Sequence, residues 1–150
     1  MTWVGAILAG ACQLVQETAA SERAVLVGQE FLLAPAEAVH VSTMAGSSAR
    51  FRRVVSDRRC PRQLTCAISG PVTVEVEIQA PSEPKRVAQL AVFDRAVGGP
   101  KMQGVSSCAA SGKLALKLRD VQPWPMGHAP VAPETYRASF VFSGSCVDSR

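Results

Sequence analysis

The common catalytic designs have little to work with in this sequence. It has no G-x-S-x-G elbow and no C-x-x-C pair, and its only histidines are His40 and His128. A serine or cysteine nucleophile would therefore lack a base held in place by a third group, which points away from hydrolase chemistry and toward a non-enzymatic chain. Long apolar runs are missing too. Residues 2–11 carry no charge but are too short to span a bilayer. From about Val25 onward no apolar residues recur at helical spacing, which argues against a helical fold. No internal repeat is visible.

What is present suits one packed domain. The chain has 150 residues, 47% of them hydrophobic and 19% charged, enough apolar material for a core and too much for a disordered chain. The formal net charge of +4 favours anionic surfaces but is too low to predict a nucleic-acid partner.

The five cysteines, Cys12, Cys60, Cys66, Cys108 and Cys146, are many for a reducing compartment unless they bind metal or do redox chemistry. The gap between Cys60 and Cys66 is longer than in a zinc knuckle, and both histidines lie far from every cysteine in sequence. Disulfides are the expected use. The odd count is resolved at the N-terminus, where Ala9-Gly10-Ala11 offers the small side chains that signal peptidases accept and Cys12 follows directly, as in a bacterial lipoprotein box. Ala9 stands where that box prefers leucine, and the basic n-region is missing, so the true start can lie upstream. Three readings stay open: a lipid on Cys12, simple cleavage and secretion, or a retained apolar segment. Residues 1–24 are read as signal remnant and tether, and 25–150 as the folded domain.

Within that domain the pattern is of short strands separated by Pro, Gly and Ser. Val72, Val74, Val76 and Ile78 alternate with Thr73, Glu75 and Glu77, a half-buried strand. Residues 113–119 repeat the pattern with Leu114, Leu116 and Leu118 on one face, and Tyr136, Ala138, Phe140 and Phe142 mark a third strand over 135–142. Weaker strands are read at 29–33, 38–42, 50–56 and 86–93. About seven such strands, each with one apolar face, close most economically as an Ig-like antiparallel β-sandwich, with a closed barrel as the alternative. The Pro-rich stretch 122–133 cannot pair as an inner strand and reads as an ordered loop. With Cys12 set aside, the four remaining cysteines allow three connectivities. Pairing near neighbours, Cys60 with Cys66 and Cys108 with Cys146, is the least demanding.

The run Asp57-Arg58-Arg59-Cys60-Pro61, then Cys66 and Gly70, then Leu118, Val121, Pro123, Pro125 and Tyr136-Arg137-Ala138, resembles a family of small uncharacterised bacterial exported proteins and lipoproteins. Those proteins read D-x-R-C-P, a second cysteine in C-x-W-x-G, and later L-x-x-V-x-P-Y-P before a closing Y-R-A strand. The similarity covers about residues 28–143. This chain differs in having Ile68 where tryptophan is common and Trp124 where tyrosine is common, apolar for apolar in both cases. The Cys108 and Cys146 pair looks like an addition of this branch. The resemblance implies a β-sandwich outside the cytoplasm, in the periplasm or anchored in the envelope, and transfers no activity.

Two binding sites are read from the residues. Arg50, Arg52, Arg53, Arg58, Arg59 and Arg62 crowd thirteen positions, with Arg50 and Arg52 on one strand face and Arg53 on the other. Their guanidinium forks can dock an anionic envelope polymer, lipid headgroups or an acidic envelope protein, or simply solvate a strand edge. As an alternative, His40 with Met44 and Met126 with His128, and Met102 as a further candidate, offer soft ligands for copper, provided the two histidine rings come within about 10 Å of each other. Glu75 and Glu77 are read as solvated charges. Trp124 is read as a partner anchor or, more simply, as a plug for the bottom of the sandwich.

Overall fold

The structure is a computed structural model that describes residues 23–93 and 106–147. Among the described residues nine strands follow one another: β1 (Arg23–Val25), β2 (Glu30–Leu33), β3 (Ala38–Val41), β4 (Ser48–Asp57), β5 (Val72–Gln79), β6 (Arg86–Val92), β7 (Cys108–Ser111), β8 (Leu114–Gln122) and β9 (Arg137–Ser143). They form a five-stranded sheet, β1-β3-β4-β5-β6, and a four-stranded sheet, β2-β9-β8-β7. The fold is a disulfide-stabilised β-sandwich. All the ladders are antiparallel except β1 with β3, and the chain passes from one sheet to the other in the short step from β1 to β2.

Alternation along the strands builds the core. In β5 every second side chain, from Val72 to Ile78, is buried, and Thr73, Glu75 and Glu77 stand on the outer face. The facing sheet contributes Leu114, Leu116, Leu118, Ala138, Phe140 and Phe142. Phe51 meets Phe140 edge-on across the interface at 6.0 Å, and Phe31 lies 5.2 Å from Phe142. Burying each of these large side chains contributes about 1.5–3 kcal/mol.

The two strands beyond the expected seven are short. β1 has three residues and β7 reads Cys-Ala-Ala-Ser, so neither offers an alternation long enough to recognise. Pro133 replaces the expected start of the last strand with a single 3-10 turn, Pro133–Thr135, before β9 begins. The barrel alternative fails because the two sheets have separate ladders. Among the described residues they are joined by isolated bonds such as Ala91 N–H to Ser106 O (2.9 Å) and Arg86 Nη1 to Ala110 O (2.8 Å).

Both inferred disulfides are present, Cys60–Cys66 and Cys108–Cys146. The first closes a small loop between β4 and β5. The second ties the start of β7 to the segment after β9. Cys12 and Met102 lie outside the described residues.

Candidate functional site

β4 ends in a carboxylate that points inward. Asp57 pairs directly with Val72, whose side chain is buried, so the two share the inner face at one end of the sandwich. Arg59, two residues on and extended, returns to the same side. Its Nε and Nη2 donate to the two oxygens of Asp57 at 2.8 and 2.5 Å, and its backbone N–H donates to Oδ1 at 3.2 Å. The remaining donors reach the carbonyls of Val121 (2.5 Å) and Pro123 (3.0 Å), which alternate along the extended end of β8. The Tyr136 hydroxyl donates to Asp57 Oδ2 at 3.1 Å. Burial first, and the Asp57 charge and this hydrogen bond next, push the Tyr136 pKa up to about 12, and Arg59 opposes the shift.

Trp124 completes the knot. Its indole N–H donates to Cys60 O at 2.9 Å, and the Arg59 guanidinium lies 4.5 Å from the ring centroid. The disulfide loop is fastened alongside: Arg62 N–H donates to Pro125 O (3.1 Å), Cys60 N–H to Ser69 Oγ (3.0 Å) and Gly70 N–H to Arg58 O (2.7 Å). A Cβ on Gly70 would lie 2.7 Å from that of Arg58, so this close approach needs glycine. The segments Asp57-Arg58-Arg59-Cys60-Pro61, Cys66 with Gly70, Val121 to Pro125, and Tyr136 are thus one physical unit that pins the loop-rich end of the sandwich.

That geometry divides the arginine cluster. Arg59 is 4% exposed with its donors engaged, so it leaves the set of docking residues. The expectation that Arg50 and Arg52 oppose Arg53 is also corrected. Bulges between Phe51 and Arg53 and between Val54 and Ser56 shift the register, so Arg53 pairs with Glu75 on the outer face and Val54 takes the inward place. Arg52 and Arg53 both reach Glu75, at 3.5 and 3.3 Å, and Arg50 donates to Ala36 O at 3.4 Å. Glu75 and Glu77 do point outward as expected, but under arginine stems and Lys85 and not as free charges. Arg58 and Arg62 remain. Both are exposed, neither forms an ion pair among the described residues, and the Arg62 guanidinium lies 5.5 Å from the Trp124 ring. Beside them Ile68 is 85% exposed and Met126 51%. Ile68 is thus a surface residue.

The copper constellation does not assemble. His40 pairs with Ser48, at the start of β4, and Met44 lies in the following turn. His128 lines a cavity with Asp57 and Arg59 at the far end of that strand. At about 3.3 Å per residue, Ser48 and Asp57 are roughly 25–30 Å apart, too far for His40 and His128 to share a metal whose bonds are about 2 Å. Among the described residues no cluster of three or more His, Cys, Asp or Glu side chains has the arrangement of a metal site.

A second hollow, of about 360 Å³, lies at the end of β8 and is lined by Trp124, Phe93, Arg62, Arg119, Glu30, Asp120 and Gln122. Composition and spacing gave no sign of it, because its residues come from β2, β8, the disulfide loop and the segments just after β6 and β8. No family model, curated protein or solved structure matches the chain.

Proposed function

We propose that this chain is an extracytoplasmic, non-enzymatic binding module of the cell envelope, held there by lipid on Cys12 or released by cleavage near it, and that it docks an anionic partner at its loop-rich end. One observation carries the reading: Arg58 and Arg62 form no ion pair among the described residues, and Arg62 lies over a tryptophan fixed by its own hydrogen bond. Exposed guanidinium forks next to a rigid aromatic residue and exposed Ile68 and Met126 are the ingredients of an anchor for an acidic partner. The two disulfides, in a chain with this arginine-rich loop, suit an oxidising compartment, and the compact Asp57–Arg59 knot keeps the loop in one shape, which lowers the entropy lost on binding.

The test is titration of the oxidised protein with polyglutamate and with alginate at low and high salt. Binding should weaken steeply with salt, and an Arg58→Glu, Arg62→Glu double change should reduce affinity at least about tenfold while leaving near-UV dichroism unchanged. Salt-independent binding, or equal affinity in the double variant, overturns the reading. Arg59 is a poor choice for this test, because changing it dismantles the knot itself.

A further inference from the structure

We infer that the hollow at the end of β8 seats a ring of an acidic sugar, so that the anionic partner proposed above, on which this inference rests, is a glycan built from sugar acids. β7 pairs with β8 only as far as Lys117, so Arg119 to Gln122 run past the edge strand with β9 on one side. The hollow opens over this stretch, walled by Trp124 and Phe93 and rimmed by Arg62 and Arg119.

Its chemistry is mixed in a particular way. Phe93 offers flat apolar surface, as the C–H face of a sugar ring requires, and Trp124, whose ring carries the Arg59 and Arg62 guanidiniums, completes the wall. Arg62, Arg119 and Gln122 donate hydrogen bonds, and Glu30 and Asp120 accept them. Each carboxylate already takes one bond from the protein, Glu30 from Ser139 Oγ and Asp120 from Gln122 Nε2 at 2.8 Å, which fixes its orientation and leaves lone pairs free. Hydroxyl groups both donate and accept, so a polyol can satisfy both sets at once. An acidic peptide fits less well, because its side chains bring only carboxylates toward Glu30 and Asp120 and its donors are confined to backbone N–H groups. Neither Arg62 nor Arg119 forms an ion pair among the described residues, so a sugar carboxylate finds a bidentate partner at the rim. The volume is at the small end for ligand sites, as a single ring of a longer polymer needs.

Binding of alginate oligosaccharides, followed by tryptophan fluorescence and calorimetry, tests this against polyglutamate and a neutral glucan oligomer of equal length. Alginate should bind saturably and at least about tenfold more tightly than the glucan. Gln122→Ala, at an exposed position, and Phe93→Ala should each weaken alginate about tenfold and leave polyglutamate unchanged, whereas Arg58→Glu with Arg62→Glu weakens both. If alginate and polyglutamate bind alike and neither responds to Gln122 or Phe93, the sugar seat is wrong and the docking surface stands. Equal affinity for the neutral glucan refutes the acidic ligand. If neither polyanion binds, the docking surface falls as well.

Discussion

Asp57 is the residue on which the loop-rich end depends. It accepts hydrogen bonds from Arg59 and Tyr136, and its removal leaves a guanidinium that is 4% exposed without its counter-charge. Breaking a buried pair in this way costs about 3–5 kcal/mol. Urea unfolding of Asp57→Ala should show that loss, and Tyr136→Phe only about 1 kcal/mol, the worth of one hydrogen bond. Tyr136 is the only tyrosine in the chain, so phenolate absorbance reads it alone. Its folded pKa of about 12 lies above the ordinary value near 10, so between these values the folded state holds a proton that the unfolded state has lost. The associated stability is complete below about pH 10 and drains away as pH rises toward 12. A native titration midpoint near 10 would refute the buried contact, and Asp57→Ala should move the midpoint down. In an extended chain the spacing of Asp57 and Arg59 puts both side chains on one side. Which of six arginines turns inward was not legible, because their charge is identical and only the Asp57 carboxylate and the carbonyls of Val121 and Pro123, about sixty residues on, distinguish Arg59.

The elements were legible in proportion to their alternation. β5, β8 and β9 announce themselves because one face of each is buried against the other sheet, whereas β4 carries two bulges that break the period just where Arg52, Arg53 and Val55 would confuse it. The turn between β2 and β3 shows a local choice opposed to the fold. Glu37 N–H bonds back to Ala34 O at 3.0 Å, Pro35 takes the second place, and Ala36 sits at φ +70°, where glycine is at ease and a Cβ costs about 1–2 kcal/mol. Ala36→Gly should therefore raise stability by up to about 1 kcal/mol, less what glycine gains in the unfolded chain. A thermal midpoint lowered by that change would show that the turn is unstrained. On the outer face, Glu75→Gln removes the partner of Arg52 and Arg53, both largely exposed. Its effect on the urea midpoint should be under about 1 kcal/mol, since exposed pairs are weak.

At the scale of the whole molecule, the two disulfides divide the work between stability and site. Cys108–Cys146 spans 38 positions and Cys60–Cys66 only 6. If cross-links act by restricting the unfolded chain, the longer link contributes about 4 kcal/mol and the shorter about 2.4 kcal/mol. The longer one joins the start of β7 to the segment after β9, two parts of the same sheet, and none of the hydrogen bonds of the Asp57–Arg59 knot runs through it. The shorter one holds the backbone whose Cys60 carbonyl receives the Trp124 indole and whose Arg62 lies over its ring. Replacing Cys108 and Cys146 by serine should therefore lower the urea midpoint more than replacing Cys60 and Cys66, yet leave alginate affinity unchanged in conditions where the protein stays folded. The Cys60 and Cys66 pair should do the reverse, with a smaller loss of stability and a binding loss of about tenfold, because the loop then has many shapes to choose from and must be ordered on docking. Equal binding losses in both double variants would mean that affinity follows global stability, and that the loop has no separate part in recognition.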